Sequence, residues 1–163
     1  MTVKPITIAF SLNANPVEVS VPVNTLLIDL VRDHLGFKGT KRSCDMEVCG
    51  ACTMLLDGEP ISSCTTLAVD VDGRNLTTIE GVTPANGLSP LQEAFVLHGA
   101  IQCGFCTPGF ILAVTELLNR NPNPSDDEIR HHLHGNLCRC TGYAKIFAAV
   151  KSLVRDEKKL NVA

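Results

Sequence analysis

No unbroken apolar run in the chain is long enough to cross a bilayer. The longest, Phe110 to Val114, falls far short of the roughly 20 residues that a spanning helix needs, so membrane attachment would require a partner. A run of signal-peptide length is also missing after Lys4, where Ile6, Ile8, Phe10 and Leu12 alternate with polar or small residues. The chain therefore reads as cytosolic. No one sign of charge dominates: 14 basic and 17 acidic residues are spread to a formal charge of −3, with no basic stripe for nucleic acid or anionic lipid. Long internal repeats and low-complexity segments are absent. So are local signatures of a Ser-His-Asp triad, a phosphate-binding glycine loop or paired catalytic carboxylates, which leaves no catalytic residue to name and no independent substrate site.

What is present in excess is cysteine, eight in 163 residues. A chain of this length with 45% hydrophobic residues can build its core without covalent staples. In a reducing compartment such a count points to metal rather than to disulfides.

Strand and turn signals fill the first half. Ile6, Ile8, Phe10 and Leu12 alternate with period two, as do Val17, Val19 and Val21 after Asn13-Ala14-Asn15, predicting a β-hairpin. Thr25 is placed to cap a short helix with the apolar stripe Leu27, Leu30 and Val31, stopped by Gly36. Asp57-Gly58 joins Thr53–Leu56 to Glu59–Cys64 in a second hairpin, and Thr77–Glu80 reads as a further strand. These elements describe a small α+β unit, one helix on a mixed sheet. At Thr83-Pro84-Ala85-Asn86-Gly87 the breakers of a linker appear, and helices dominate beyond it. Ser89-Pro90-Leu91-Gln92 and Ser125-Asp126-Asp127-Glu128 are capping boxes, and Thr107-Pro108 is a further start signal. Gly99 and Gly135 close two of these helices, and a fourth runs from Tyr143 to about Val154 on Ile146, Phe147, Val150 and Leu153. This half reads as a four-helix bundle.

Each half holds four cysteines. Cys44, Cys49 and Cys52 form Cys-x4-Cys-x2-Cys with Cys64 further on, the spacing of plant-type 2Fe-2S ferredoxins. The second hairpin folds back to bring Cys64 to the loop. Gly50 and Ala51 are small enough to let backbone N–H groups approach the sulfurs. A structural zinc site usually takes two paired knuckles, and only Cys49 and Cys52 make one. The spacing favours a cluster over zinc, and zinc over a disulfide. In the second quartet, Cys103 and Cys106 precede one helix while Cys138 and Cys140 precede another. Both pairs thus sit where helix N-termini favour thiolates. His131, His132 and His134 are read as last-turn histidines meeting the helix dipole rather than as ligands, and the Arg155–Lys159 charge run as solvated surface.

The strings Gln102-Cys103-Gly104-Phe105-Cys106-Thr107-Pro108-Gly109 and Gly135-Asn136-Leu137-Cys138-Arg139-Cys140-Thr141-Gly142-Tyr143 resemble the helical cluster domain of the xanthine oxidase family of molybdenum hydroxylases. The Cys44–Cys52 segment, with its Gly50-Ala51-Cys52-Thr53 run, is similar to the same family's ferredoxin domain in the same order. The resemblance covers nearly the whole chain. It implies an α+β fold in which a plant-type ferredoxin-like (β-grasp) domain, 1–82, precedes a four-helix-bundle 2Fe-2S domain, 83–163. It also implies the small iron-sulfur subunit of a multi-subunit oxidoreductase. By similarity, Cys44, Cys49, Cys52 and Cys64 hold one cluster and Cys103, Cys106, Cys138 and Cys140 the other. Gln102 and the Cys140 region then lie against a molybdopterin, as the cytosine dinucleotide, in a large subunit. FAD on a medium subunit, or another acceptor, takes the electrons, and the family's habit is a dimer of heterotrimers.

Three positions depart from the family pattern: Ser43 and Glu47 stand where glycine is usual, and Ala14 replaces a turn glycine. None removes a ligand. Glu47 adds negative charge beside an anionic cluster, which would lower its potential or alter acceptor docking. Two other classes of function remain open from the residues alone, a free-standing two-cluster ferredoxin and a colourless zinc-stabilised interaction module.

Overall fold

The computed structural model describes residues 4–154, so the Arg155–Lys159 run lies outside the described residues. Asn13 and Ala14 both adopt positive φ, 51° and 64°, the primed turn whose twist suits a hairpin. Strands β1 (Pro5–Leu12) and β2 (Asn15–Pro22) accordingly pair antiparallel outward from Leu12 opposite Asn15. Asn tolerates this left-handed backbone, whereas alanine's Cβ crowds the following carbonyl. Ala14→Gly is therefore expected to stabilise the protein by about 1 kcal/mol, raising the thermal midpoint by about 2–4 °C. An unchanged or lower melting temperature would show that the turn stores no such strain.

Ile8, Phe10 and Leu12 of β1 are buried while Ile6 is exposed, so the period-two pattern does select an inner face, beginning at Ile8. The sheet is mixed and five-stranded, in the order β2-β1-β5-β3-β4, with β3 at Thr53–Leu56, β4 at Glu59–Ser62 and β5 at Asn75–Thr77. Strand β5 runs parallel to β1 and antiparallel to β3, with Leu76 opposite both Leu12 and Leu56. The sequence signal placed this strand later, at Thr77–Glu80. Pairing on both sides ends it at Thr77, because the next backbone N–H, that of Thr78, donates to Asn13 Oδ1 at 2.9 Å. The chain then turns into a 3-10 helix over Ile79–Val82.

A second correction concerns the first helix. It consists of one short turn, α1 (Leu27–Asp29), continued as a π-helix over Leu30–His34, and its N-cap is Leu26, not Thr25. A side-chain cap is unnecessary here. The backbone N–H groups of Leu27 and Ile28, which a helix start leaves unpaired, donate to Thr66 O at 2.8 Å and Ser63 O at 3.0 Å. Thr25 contributes its carbonyl instead, accepting from Ala68 N at 2.8 Å. This tie holds the segment carrying Cys64 against the helix, and Ile28 packs with Cys52 and Cys64 in one small apolar cluster. Leu27, Leu30 and Val31 face Ile8, Phe10, Met54 and Leu76 in the main core of this half.

Beyond the linker come α2 (Pro90–Leu97), α3 (Thr107–Arg120), α4 (Asp126–His132) and α5 (Ala144–Leu153). The two capping boxes form as the sequence predicts. Ser89 Oγ accepts from Gln92 N at 3.3 Å while Gln92 Oε1 accepts from Ser89 N at 2.8 Å, and Ser125 and Glu128 repeat the exchange. Thr107 is the first helical residue of α3 rather than its cap, that position being Cys106. Gly99 adopts φ 60° after α2, whereas α4 passes into a 3-10 turn, Leu133–Gly135. Leu91, Phe95, Phe110, Val114, Ile129, Ile146 and Val150 form the second core. All four residues of β3 are buried, because α3 packs on that strand. One helix of the second half thereby presses directly on the sheet of the first.

Candidate iron-sulfur centres

The loop between the π-helix and β3 winds through left-handed residues, with φ of 54° at Asp45, 60° at Glu47 and 66° at Gly50. Alternation of this kind turns successive N–H groups toward one point, making an anion-binding nest. Its centre is Cys44. N–H donation from Met46, and then from Val48, brings that thiol down to about 6, with smaller help from Cys49. Glu47 thus takes a conformation natural to the glycine it replaces, and carries the strain of a bulky side chain there. Its carboxylate accepts from Thr65 Oγ1 at 3.3 Å. Arg42 braces the loop, with Nε donating to Asp45 at 2.9 Å and its guanidinium also reaching Asp29. Behind the loop Cys52 is buried, and burial pushes its thiol up to about 12. Ser63 Oγ donates to Cys52 O at 2.7 Å, which fixes the neighbour of Cys64 to the loop.

The thiols meet two by two. Cys44 lies beside Cys49, and Cys52 beside Cys64 with Cys49 also near it. In the second quartet Cys140 Sγ lies 3.6 Å from Cys103 Sγ, and Cys106 pairs with Cys138. Burial pushes Cys106 up to about 12. Burial would also raise Cys138, but donation from the side chain and N–H of Thr141, with Cys140 N–H and the Cys106 thiol, brings it below the ordinary thiol value. Pairs are what a binuclear cluster takes, since each iron has two thiolates besides two bridging sulfides. The donor set and its arrangement fit two 2Fe-2S clusters.

The two sites share backbone. Leu137 N–H donates to Cys49 O at 2.9 Å, and Asn136 Nδ2 donates to Gly50 O at 3.2 Å in a buried position. Thr53 Oγ1 donates to the same Gly50 oxygen at 2.7 Å. A Cβ on Gly109, near the start of α3, would collide with Gly50 O, and one on Gly50 would stand 2.5 Å from both Gly135 O and Asn136 Nδ2. Spacing explained Gly50 by its neighbouring sulfurs. Its contact with Gly109 and Asn136 is a second requirement that no local pattern announces.

Gln102 is exposed, and its Nε2 donates to Cys140 O at 3.1 Å. It therefore ties the Cys103 loop to the Cys140 loop, the bland role that a polar loop residue can always play. Of the last-turn histidines, His131 and His134 are exposed. His132 Nε2 lies 2.9 Å from Ala113 O and 3.0 Å from the buried Glu116 carboxylate, a clamp between α4 and α3. No described helix is long and apolar enough to cross a membrane.

Comparison with known proteins gives the cofactor class and the family. A 2Fe-2S iron-sulfur cluster binding domain matches residues 20–101, and a [2Fe-2S] binding domain matches residues 78–151. The nicotinate dehydrogenase small FeS subunit of Eubacterium barkeri is 44% identical over 149 residues, 91% of this chain and 95% of that protein. Among solved structures, quinoline 2-oxidoreductase from Pseudomonas putida 86 superposes with a TM-score of 0.88 at 43% identity, covering 90% of this chain and 91% of that one. Aldehyde oxidoreductase from Desulfovibrio gigas gives 0.87 at 40% identity, over 97% of this chain but 18% of that chain. The site thus defines an iron-sulfur electron-transfer protein. The chain belongs to the xanthine oxidase family of molybdenum hydroxylases, as the iron-sulfur subunit. It is the electron-relaying, non-catalytic component of an oxidoreductase that works with a molybdenum-binding partner.

Proposed function

We propose that Cys44, Cys49, Cys52 and Cys64 hold one 2Fe-2S cluster within a β-grasp unit, 1–82. Cys103, Cys106, Cys138 and Cys140 hold the other within a four-helix bundle, 83–163. When bound, the clusters supply one-electron redox capacity, so that a two-electron oxidation at the partner's molybdenum is drained singly. The chain contributes positions, burial and hydrogen bonds.

The observation that carries the direction of the relay is the exposure of one end. Cys103 and Cys140 are exposed and joined through Gln102, whereas in the other quartet Cys44 and Cys49 are half-buried and Cys52 and Cys64 buried. Exposed Ile101 and Phe105 flank the first pair, an apolar rim suited to the large subunit. Electrons therefore enter at Cys103 and Cys140, from a molybdopterin cytosine dinucleotide, and cross where Leu137 N–H meets Cys49 O. They leave near Cys44, where Met46 and Val48 are exposed, to FAD on a medium subunit or to another acceptor. A dimer of heterotrimers in the cytoplasm completes this reading. Relatives named for nicotinate and quinoline make N-heterocycles the first substrates to screen on the intact complex.

Native purification with metal analysis and subunit sizing tests the assembly. A stable isolated monomer with no molybdenum partner would overturn it. Gln102→Ala is expected to leave both clusters assembled while slowing electron entry about tenfold, through loss of roughly one hydrogen bond to the pterin. Single-turnover reduction of the clusters by substrate measures this, and an unchanged rate with unchanged subunit association would remove Gln102 from the pterin site.

A further inference from the structure

Cys138 sits in a hydrogen-bond arrangement that its partner cysteines lack. Thr141 Oγ1 donates to Cys138 Sγ at 3.1 Å, and Thr141 N lies 3.4 Å from the same sulfur. The direction of the hydroxyl follows from its other contact. Tyr143 N–H donates to Thr141 Oγ1 at 3.2 Å, which occupies a lone pair and leaves the hydroxyl proton for the sulfur. Tyr143 in turn accepts from Cys138 N at 3.1 Å through its phenol oxygen. The loop is closed at both ends by one residue. Keeping it closed has a cost, since Tyr143 holds φ 66° immediately after Gly142 at 62°, a left-handed conformation that strains a bulky residue. Among the described residues this is the one side-chain hydroxyl that donates to a cysteine sulfur.

We propose that Thr141 is the residue that sets the potential of the helical-domain cluster, holding it up so that it accepts an electron readily from the partner's molybdenum centre. Reduction adds one electron and no proton; the added negative charge is delocalised onto the coordinating sulfurs, and a donor aimed at one of them stabilises the reduced form more than the oxidised. The hydroxyl proton stays on Oγ1 throughout. Tyr143 is the positioning residue, because it orients the hydroxyl and pins the Cys138 backbone. The inference rests on the proposed assignment of Cys103, Cys106, Cys138 and Cys140 to one cluster.

The test is a redox titration followed by electron paramagnetic resonance on the intact complex. Thr141→Val is expected to make reduction of the helical-domain cluster about tenfold less favourable, about 59 mV lower for one electron, with the other signal unmoved. Thr141→Ser, which keeps the hydroxyl, is expected to stay at the wild-type potential. Unchanged potentials in Thr141→Val, or an equal drop in Thr141→Ser, would overturn the proposal. Should Thr141→Val fail to assemble that cluster, pulsed resonance on Thr141→Ser and Thr141→Ala before and after transfer to D2O decides. The Thr141 N–H remains in both, so a strongly coupled exchangeable proton present in Thr141→Ser and missing in Thr141→Ala supports the hydroxyl, and equal couplings in the two overturn it. A wild-type protein lacking two 2Fe-2S signals would instead defeat the cluster assignment itself.

Discussion

Cys138→Ser is expected to remove one of two 2Fe-2S signals from the assembled protein, and Cys49→Ser the other, each lowering iron from about four to about two per chain. The expectation follows from the pairing of thiols. Cys138 meets Cys106 and Cys49 meets Cys44, so each substitution strips one iron of half its protein ligands. Serine is a harder and far more weakly acidic donor than a thiolate already favoured by its neighbours. Electron paramagnetic resonance with iron analysis on the purified complex separates the two losses. Loss of the same signal from both variants would mean that the quartets are wrongly divided. Turnover with the natural acceptor is expected to vanish in both, because the relay runs in series. Reduction of the remaining helical-domain cluster by substrate should survive in Cys49→Ser alone.

Gly109→Ala is expected to have the largest effect of any change outside the cysteines. The added methyl would collide with Gly50 O, a backbone atom that cannot move without dragging Cys49 with it. Overpacking of this kind costs about 1–3 kcal/mol, which for a chain of this size lowers the thermal midpoint by roughly 2–12 °C. The lost geometry matters as much as the lost stability. The bonds from Leu137 N to Cys49 O and from Asn136 to Gly50 O are the short connection between the two sites, and they lengthen if α3 is pushed away. Gly135→Ala serves as the control, since a Cβ there meets nothing within 4 Å. Equal melting temperatures in the two variants would show that the close approach of Gly109 and Gly50 is not what joins the halves.

Local signals were read correctly where the interaction is itself local. The capping boxes at Ser89 and Ser125 form because cap and partner lie within one turn of helix. Asp57-Gly58 makes its turn, with φ of 51° and 90°, for the same reason. Thr25 misled because its role was taken by backbone carbonyls from Ser63 and Thr66, which no window around the helix contains. The strand at Asn75–Thr77 starts two residues and ends three residues before the sequence signal because its ends are chosen by neighbours on both sides, β1 and β3.

The site divides in the same way. Cysteine number and spacing pointed to two four-thiol centres, because a binuclear cluster constrains how close its ligands can lie along a loop, and the strings around Gln102 and Cys140 determined the family. Glu47 was identified as an oddity from sequence, and its φ of 60° shows why glycine suits the position. Which thiol faces which was decided only by the tertiary structure, as was the contact of Gly109 with Gly50, the bond from Asn136, and the hydroxyl of Thr141 on Cys138. These depend on how a helix of one half packs on a strand of the other. Packing is a property of surfaces brought together from distant parts of the chain, and spacing along the chain carries no record of it.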